Sequence, residues 1–149
     1  MIIKPSALGD IALALAAAAS IRKSFPEANI SWLVRKEFAP LVEMAGDVDE
    51  IIIFDRKFLG KWYKNAKACA ELFRFFKMLS SLKFDIVIDL QGLFRTALFG
   101  WITGCKKRFG IKGAREFAGM FYTHKVGQDN DCIHLVDLHN RIISAAGAT

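Results

Sequence analysis

Short apolar runs alternate along the chain with longer segments in which apolar residues recur at helical spacing. Met1-Ile2-Ile3 reads as a strand and the Ala/Leu/Ile segment from Ile11 to Ile21 as a helix. Between them, Pro5 biases Lys4 to extended geometry, and Gly9 allows close approach or a positive φ just before the helix. A second strand is predicted over Asn29 to Val34, and a short amphipathic helix over Glu37 to Ala45, closed by Gly46. The β-branched run Glu50 to Phe54 makes a third strand, and a basic, aromatic loop follows from Asp55 to Lys64. A long helix then runs to about Leu82, with Ala68, Leu72, Phe75, Phe76 and Leu79 as its buried stripe. The strongest strand signal is Phe84 to Leu90, followed by a turn and a helix ending near Thr103. Lys106 to Ile111 reads as a further strand, Lys112 to Glu116 as a Gly-rich bend and Met120 to Val126 as extended. A final helix is expected near Ile133 to Ala146. Phe73, Phe75, Phe76, Phe94 and Phe99 are assigned to the core.

Strand then helix at this spacing predicts an α/β fold: a doubly wound, mainly parallel, Rossmann-like sheet with helices on both faces. No internal repeat or low-complexity linker interrupts it, so residues 1–149 are expected to form one domain. A chain of 149 residues that is 53% hydrophobic can bury about two-thirds of its unfolded surface in one core.

Charge and cysteine usage narrow the functional classes. The net charge of +6 implies attraction to anionic partners such as phosphorylated sugars, nucleic acid or an acidic membrane surface. Cys69, Cys105 and Cys132 are scattered, without a paired Cys or nearby His at metal spacing, which fits a reducing, cytoplasmic compartment. His124, His134 and His139 form no i, i+4 pair, and no acidic cluster follows a strand, so no metal is expected. Ile11 to Ser20 resembles a signal-peptide core, but Asp10 abuts it, Arg22-Lys23 follow at once, and it is too short to span a bilayer. Neither a Gly-x-Gly-x-x-Gly nor a Gly-x-x-x-x-Gly-Lys-Ser/Thr cradle follows any strand, so no cofactor is expected.

The candidate chemistry gathers where strands end. Asp10 can cap backbone N–H groups at the helix start, or serve as a general base on the first loop lining the crevice of an open sheet. Asp89 and Gln91 fall at the carboxyl end of a central strand: Gln91 can donate to and accept from sugar hydroxyls, whereas Asp89 reads better as satisfying backbone groups of the turn. Arg115 offers a rigid fork of donors for a carboxylate or phosphate, unless it is simply solvated or paired with Glu116. Lys4 is placed to orient the Asp10 loop or to bind an anion. Arg56, Lys57, Lys61 and Lys64 supply a charged loop whose Trp62 and Tyr63 can lie on sugar faces or dip into a membrane interface, or which is merely a solvated face.

Lys4-Pro5-Ser6-Ala7-Leu8-Gly9-Asp10 resembles the opening motif of the ADP-heptose:lipopolysaccharide heptosyltransferases, glycosyltransferases of family 9, although Leu13 and Ala16 stand where members often carry His and Pro. Asp85-Ile86-Val87-Ile88-Asp89-Leu90-Gln91-Gly92-Leu93-Phe94-Arg95-Thr96 is similar to the same family's strand ending Asp-x-Gln-Gly, and Gly110 to Glu116 to its Arg-Glu segment. The resemblance implies the N-terminal, acceptor-binding half of a two-domain GT-B enzyme, with the C-terminal donor domain absent from this chain. It implies Asp10 as catalytic base and Lys4, Ser6, Gly9, Arg56, Lys57, Lys61, Gln91, Gly92, Arg95 and Arg115 as acceptor-binding residues. The implied reaction is inverting transfer of heptose from ADP-heptose to the lipopolysaccharide inner core. Its acceptor is an anionic glycolipid, lipid A with a Kdo core, met at the cytoplasmic face of the inner membrane. On this reading nucleic acid is not a partner, and the isolated chain is catalytically silent. The alternative is a stand-alone, non-catalytic module for anionic ligands, nucleic acid or phosphorylated sugar.

Overall fold

A computed structural model describes residues 1–55, 63–127 and 134–148. The candidates Arg56, Lys57 and Lys61, with Trp62 and Cys132, lie outside the described residues. In chain order the elements are β1 (Ile2–Ile3), α1 (Leu8–Ser24), β2 (Ser31–Arg35), a 3-10 turn (Lys36–Phe38) and α2 (Ala39–Met44). Then come β3 (Glu50–Phe54), α3 (Ala66–Ser81), β4 (Ile86–Asp89) and α4 (Phe94–Ile102). The last are β5 (Lys107–Ile111), a 3-10 segment (Arg115–Phe121), β6 (His124–Val126) and α5 (Leu135–Ala145).

The strands form one six-stranded sheet in the order β3-β2-β1-β4-β5-β6. Every pairing is parallel, which is the expected doubly wound α/β arrangement. The chain starts in the middle, winds outward to β3, and returns to begin again at β4. Two loops therefore diverge side by side at the carboxyl ends of β1 and β4, because Ile3 pairs with Asp89 and the residues after each strand become neighbours.

Alternation of side chains along the strands explains the layers. Ile2, Trp32, Val34 and Ile88 face the layer of α1, α2 and α5, where Ile11, Ala14, Val42 and Ile142 are fully buried. Ile3, Leu33 and Val87 face α3 and α4. On that side Phe99 meets Phe54 at 5.0 Å and Phe75 at 5.3 Å between ring centroids, both edge-on.

Several boundaries differ from the sequence expectation. Helix α1 starts at Leu8, with Ile11 N–H donating to the Ala7 carbonyl, so Gly9 takes helical geometry in the first turn and not a positive φ. The helix predicted over Glu37 to Ala45 begins as a 3-10 turn. Of Met120 to Val126 only the last three residues are a strand, since Arg115–Phe121 winds as 3-10. Phe75 and Phe99 belong to the core and Phe76 packs against it, whereas Phe73 and Phe94 are exposed. Phe73 projects from the solvent side of α3, and Phe94 opens α4 at the rim of the sheet.

Candidate functional site

Lys4 leaves β1 still hydrogen-bonded to β2: its N–H donates to the Leu33 carbonyl, and its own carbonyl accepts from the Trp32 indole at 3.2 Å. These bonds hold a lysine that is almost wholly buried, with 3% of its side chain exposed. A buried ammonium needs a counter-charge. The Nζ donates to Asp10 Oδ2 at 3.2 Å across the loop. The Asp10 side chain remains 44% exposed, so the pair has one end in the protein and one in water.

The N-cap reading of Asp10 does not hold. Ala7 occupies the cap without a side-chain bond, and Asp10 sits in the first turn, where the helix dipole favours its charge while its side chain reaches back to Lys4. Ser6 lies half-buried in the loop, and a side chain built on Gly9 would meet nothing within 4 Å, so the first turn of α1 faces open space.

The β4 loop is organised by Asp89, and here the structural reading is correct. The carboxylate is buried, and each oxygen accepts two hydrogen bonds. Oδ1 takes the N–H groups of Gln91 (2.8 Å) and Gly92 (3.2 Å). Oδ2 takes the hydroxyls of Thr96 (2.8 Å) and Tyr122 (2.7 Å). Burial pushes the Asp89 pKa up against these four donors, and burial together with the adjacent carboxylate raises that of Tyr122. Gly92 has φ +72°, a left-handed conformation that glycine adopts without the steric cost of a Cβ. The turn aims Gln91 so that its side-chain Oε1 is buried and has no hydrogen-bond partner. An orphaned buried carbonyl costs about 1–3 kcal/mol.

Arg95 is exposed, with its guanidinium carbon 5.9 Å from the Phe54 ring centroid at the end of β3. Arg115 is also exposed, and Glu116 is not its partner. The Glu116 carboxylate accepts the Phe94 N–H at 3.3 Å, at the start of α4. To reach it, Glu116 and Phe117 take φ values of 56° and 61°. Left-handed backbone costs a non-glycine residue roughly 1–2 kcal/mol. The structure thus brings Lys4, Ser6, Asp10, Gln91 and Gly92 to the two central loops and places Arg95 and Arg115 farther out along the same carboxyl edge.

Sequence reasoning missed three participants. His139 on α5 is 1% exposed. Burial first, then the Lys4 ammonium, push its pKa down to about 4, against weaker opposition from the Leu90 backbone and Asp10. It therefore sits within electrostatic reach of the Lys4–Asp10 pair as a neutral ring. Tyr122 and Glu116 were missed because each acts on a residue more than twenty positions away. No local pattern marks such pairings. Gly110 is the trace of the tyrosine alone: a Cβ there would lie 2.4 Å from the Tyr122 ring, so the position must be glycine for the tyrosine to reach Asp89.

A cleft of about 810 Å³ opens at the other end of the sheet, among Met1, Ile30, Phe84 and Ile86 at the strand starts. The Lys4–Asp10 pair and the orphaned Gln91 oxygen lie instead at the carboxyl ends, where open α/β sheets bind ligands. Among the described residues no group of His, Cys, Asp and Glu is placed to hold a metal ion. No helix among them is long and apolar enough to cross a membrane.

Comparison with known proteins adds an independent line. The profile of glycosyltransferase family 9 (heptosyltransferase) matches residues 72–145. The chain is 30% identical over 131 residues to lipopolysaccharide heptosyltransferase 1 of Escherichia coli K12, covering 84% of this chain and 40% of that protein. It is 28% identical over 138 residues to the lipopolysaccharide core heptosyltransferase OpsX of Haemophilus influenzae, covering 91% and 37%. Among solved structures, E. coli heptosyltransferase WaaC with ADP superposes with a TM-score of 0.85 at 26% identity, covering 99% of this chain and 47% of that one. E. coli ADP-heptose lps heptosyltransferase II shares the fold, with a TM-score of 0.76 at 19% identity. The chain spans less than half the length of each of these proteins.

Proposed function

Because the chain belongs to glycosyltransferase family 9, the heptosyltransferase family, we propose that it is the acceptor-binding part of an inverting transferase that moves heptose from ADP-heptose to the lipopolysaccharide inner core. The observation that carries this reading is the buried Lys4 holding one oxygen of a half-exposed Asp10, beside the unpartnered Gln91 Oε1.

Lys4 occupies Asp10 Oδ2 and leaves the other oxygen of the half-exposed carboxylate for the acceptor. That oxygen takes the proton of an acceptor hydroxyl as its oxygen attacks the anomeric carbon of the donor. The new glycosidic C–O bond forms as the bond from the anomeric carbon to the β-phosphate oxygen breaks. ADP departs with that electron pair, and the product sugar inverts. Gln91 Oε1 and the backbone around Ser6, Gly9 and Gly92 orient the acceptor. Arg95 and Arg115, together with Arg56, Lys57 and Lys61, meet its carboxylates and phosphates. The donor is held by residues beyond this chain, no cofactor is required, and the acceptor is reached at the cytoplasmic face of the inner membrane. The reading as a stand-alone anion-binding module is not favoured, since the relatives the chain matches are heptosyltransferases.

Two measurements test this. Titration of the chain with a Kdo-containing core oligosaccharide should give saturable binding that weakens in Arg115→Ala, while ADP-heptose should not bind. In a protein joining this chain to a donor-binding half, Asp10→Asn should lower turnover by roughly 10²–10⁴-fold with oligosaccharide binding retained. Unchanged turnover removes Asp10 from the role of base.

A further inference from the structure

The distribution of charge along the chain is lopsided. From Gln91 to Gly127 there are seven Lys and Arg residues against the single acid Glu116, a surplus of six that equals the net charge of the entire chain. This segment holds α4, β5, the 3-10 segment Arg115–Phe121 and edge strand β6. Arg95, Lys106, Lys107, Lys112, Arg115 and Lys125 are all exposed.

The same flank exposes its largest apolar side chains. Phe117 is 85% exposed, Met120 71%, Trp101 54% and Phe94 40%. They are not scattered: Phe94 and Trp101 both pack on Phe121, at 5.3 Å and 6.0 Å between ring centroids, with Phe117 and Met120 on the same 3-10 segment. The patch is held in place from below. Arg108 turns inward and donates to the carbonyls of Phe121 and Cys105. Glu116, bound to the Phe94 N–H, fixes the left-handed backbone from which Phe117 projects.

We propose that the flank formed by α4 and Arg115–Phe121 docks on an anionic lipid bilayer. Aromatic and methionine side chains standing out among lysines and arginines match an interface in which apolar groups enter the acyl boundary while cations remain among acidic headgroups. A second copy of the chain is a poor occupant, because it would bring another patch of the same sign against this one. The flank carries Arg95 and Arg115, so docking would set the crevice at the membrane surface. The inference rests on the reading of a membrane-borne acceptor, but its test varies other side chains of the flank and needs no acceptor.

The test is flotation of the chain with phosphatidylcholine vesicles and with mixed phosphatidylcholine–phosphatidylglycerol vesicles, neither containing lipopolysaccharide. Binding to the anionic vesicles should fall with added salt. It should drop at least about tenfold in Phe117→Ala/Met120→Ala, since each deletes an apolar side chain from the contact. It should drop by a similar factor in Lys106→Gln/Lys107→Gln, each cation near the surface contributing about fivefold. Both pairs are solvent-exposed, and an unchanged circular dichroism melt confirms folding. Equal binding to the two vesicle types, or binding untouched by both variants, overturns the proposal. So does the absence of vesicle binding, whether the patch instead supports concentration-dependent self-association or binding to RNA. Lipid-free core oligosaccharide provides the separating arm. If it binds while vesicles do not, the docking surface fails and the acceptor reading stands; the reverse pattern leaves the surface and removes the acceptor.

Discussion

Replacing Tyr122 by Phe should remove one hydroxyl and nothing else, and its effect can be worked out from the contacts around Asp89. The ring is 7% exposed and its hydroxyl donates to Asp89 Oδ2 at 2.7 Å. The other donor on that oxygen, Thr96, has a single proton and a second acceptor, the Leu93 carbonyl, at 2.9 Å. Thr96 therefore cannot compensate fully. A hydrogen bond to a charged group contributes about 1.5–3 kcal/mol, and this one is the larger of the two hydroxyl contributions holding the Asp89 pKa down. We expect Tyr122→Phe to cost roughly 2–3 kcal/mol at pH 8, a drop of roughly 5–10 °C in Tm for a domain of this size. The sign of the pH dependence follows from linkage. The folded-state pKa of Asp89 already lies above its unfolded value, so its contribution is most favourable at low pH and is lost as pH rises through the folded pKa. Removing Tyr122 raises that folded pKa further, so the penalty should grow from pH 5 to pH 8. Urea denaturation of both proteins at the two pH values measures this directly. A difference below about 0.5 kcal/mol at pH 8, or one independent of pH, would show that the hydroxyl does not serve an ionised Asp89.

Gly110→Ala should be more damaging than Tyr122→Phe, because its Cβ would lie 2.4 Å from the Tyr122 ring and must displace it. In the double variant the two losses should overlap and not add, which a denaturation cycle would show. His139, whose pKa is pushed below that of an exposed histidine to about 4, contributes stability that is full above about pH 6.5 and lost as pH falls toward 4. His139→Met should flatten that window by up to roughly 3 kcal/mol. The buried Met1 amine, pushed down to about 6, acts at higher pH and would be unaffected. Lys4→Met should change stability by no more than about 1 kcal/mol, since methionine fills the buried stem and Asp10 remains solvated, whereas Lys4→Ala leaves a cavity and should cost about 2–4 kcal/mol. Denaturation of the two variants side by side tests whether the buried charge serves the site or the fold.

Strand and helix identities were legible because each depends on a local pattern: β-branched runs at β3 and β4, and the stripe of Ala68, Phe75 and Leu79 along α3. The parallel, doubly wound character of the sheet followed from the alternation of strand and helix, whereas the strand order came from the structure. What was not legible depends on tertiary partners. Two consecutive non-glycine residues turn left-handed at Glu116 and Phe117 because a helix start 22 residues earlier binds the Glu116 carboxylate. Phe94 is apolar and opens a helix, yet it stays exposed because the element beyond it presents Phe121 to one ring edge and leaves the rest to solvent. His139 looked unremarkable because its meaning comes from Lys4 and Asp10, over a hundred residues away in sequence.

The contrast between Asp10 and Asp89 shows what the motifs alone do not decide. Both stand near the carboxyl ends of neighbouring strands, and either could be read as a general base. Freeing Asp89 to accept a substrate proton would mean giving up at least two of its four hydrogen bonds inside a buried site. At about 1.5–3 kcal/mol each, that is roughly 3–6 kcal/mol, so the competent state would be populated at roughly one part in 10² to 10⁴. Asp10 incurs no such cost: one oxygen is held by Lys4 and the side chain is already 44% exposed. A base must be both oriented and reachable, and only Asp10 meets both conditions. Asp89 then acts one step back, by fixing the turn that leaves Gln91 Oε1 buried and unpaired beside the Asp10 loop. Asp89→Asn should accordingly disturb oligosaccharide binding through Gln91 and lower stability together. Asp10→Asn should spare oligosaccharide binding and abolish most of the transfer step, at a cost in stability because the buried Lys4 ammonium loses its counter-charge.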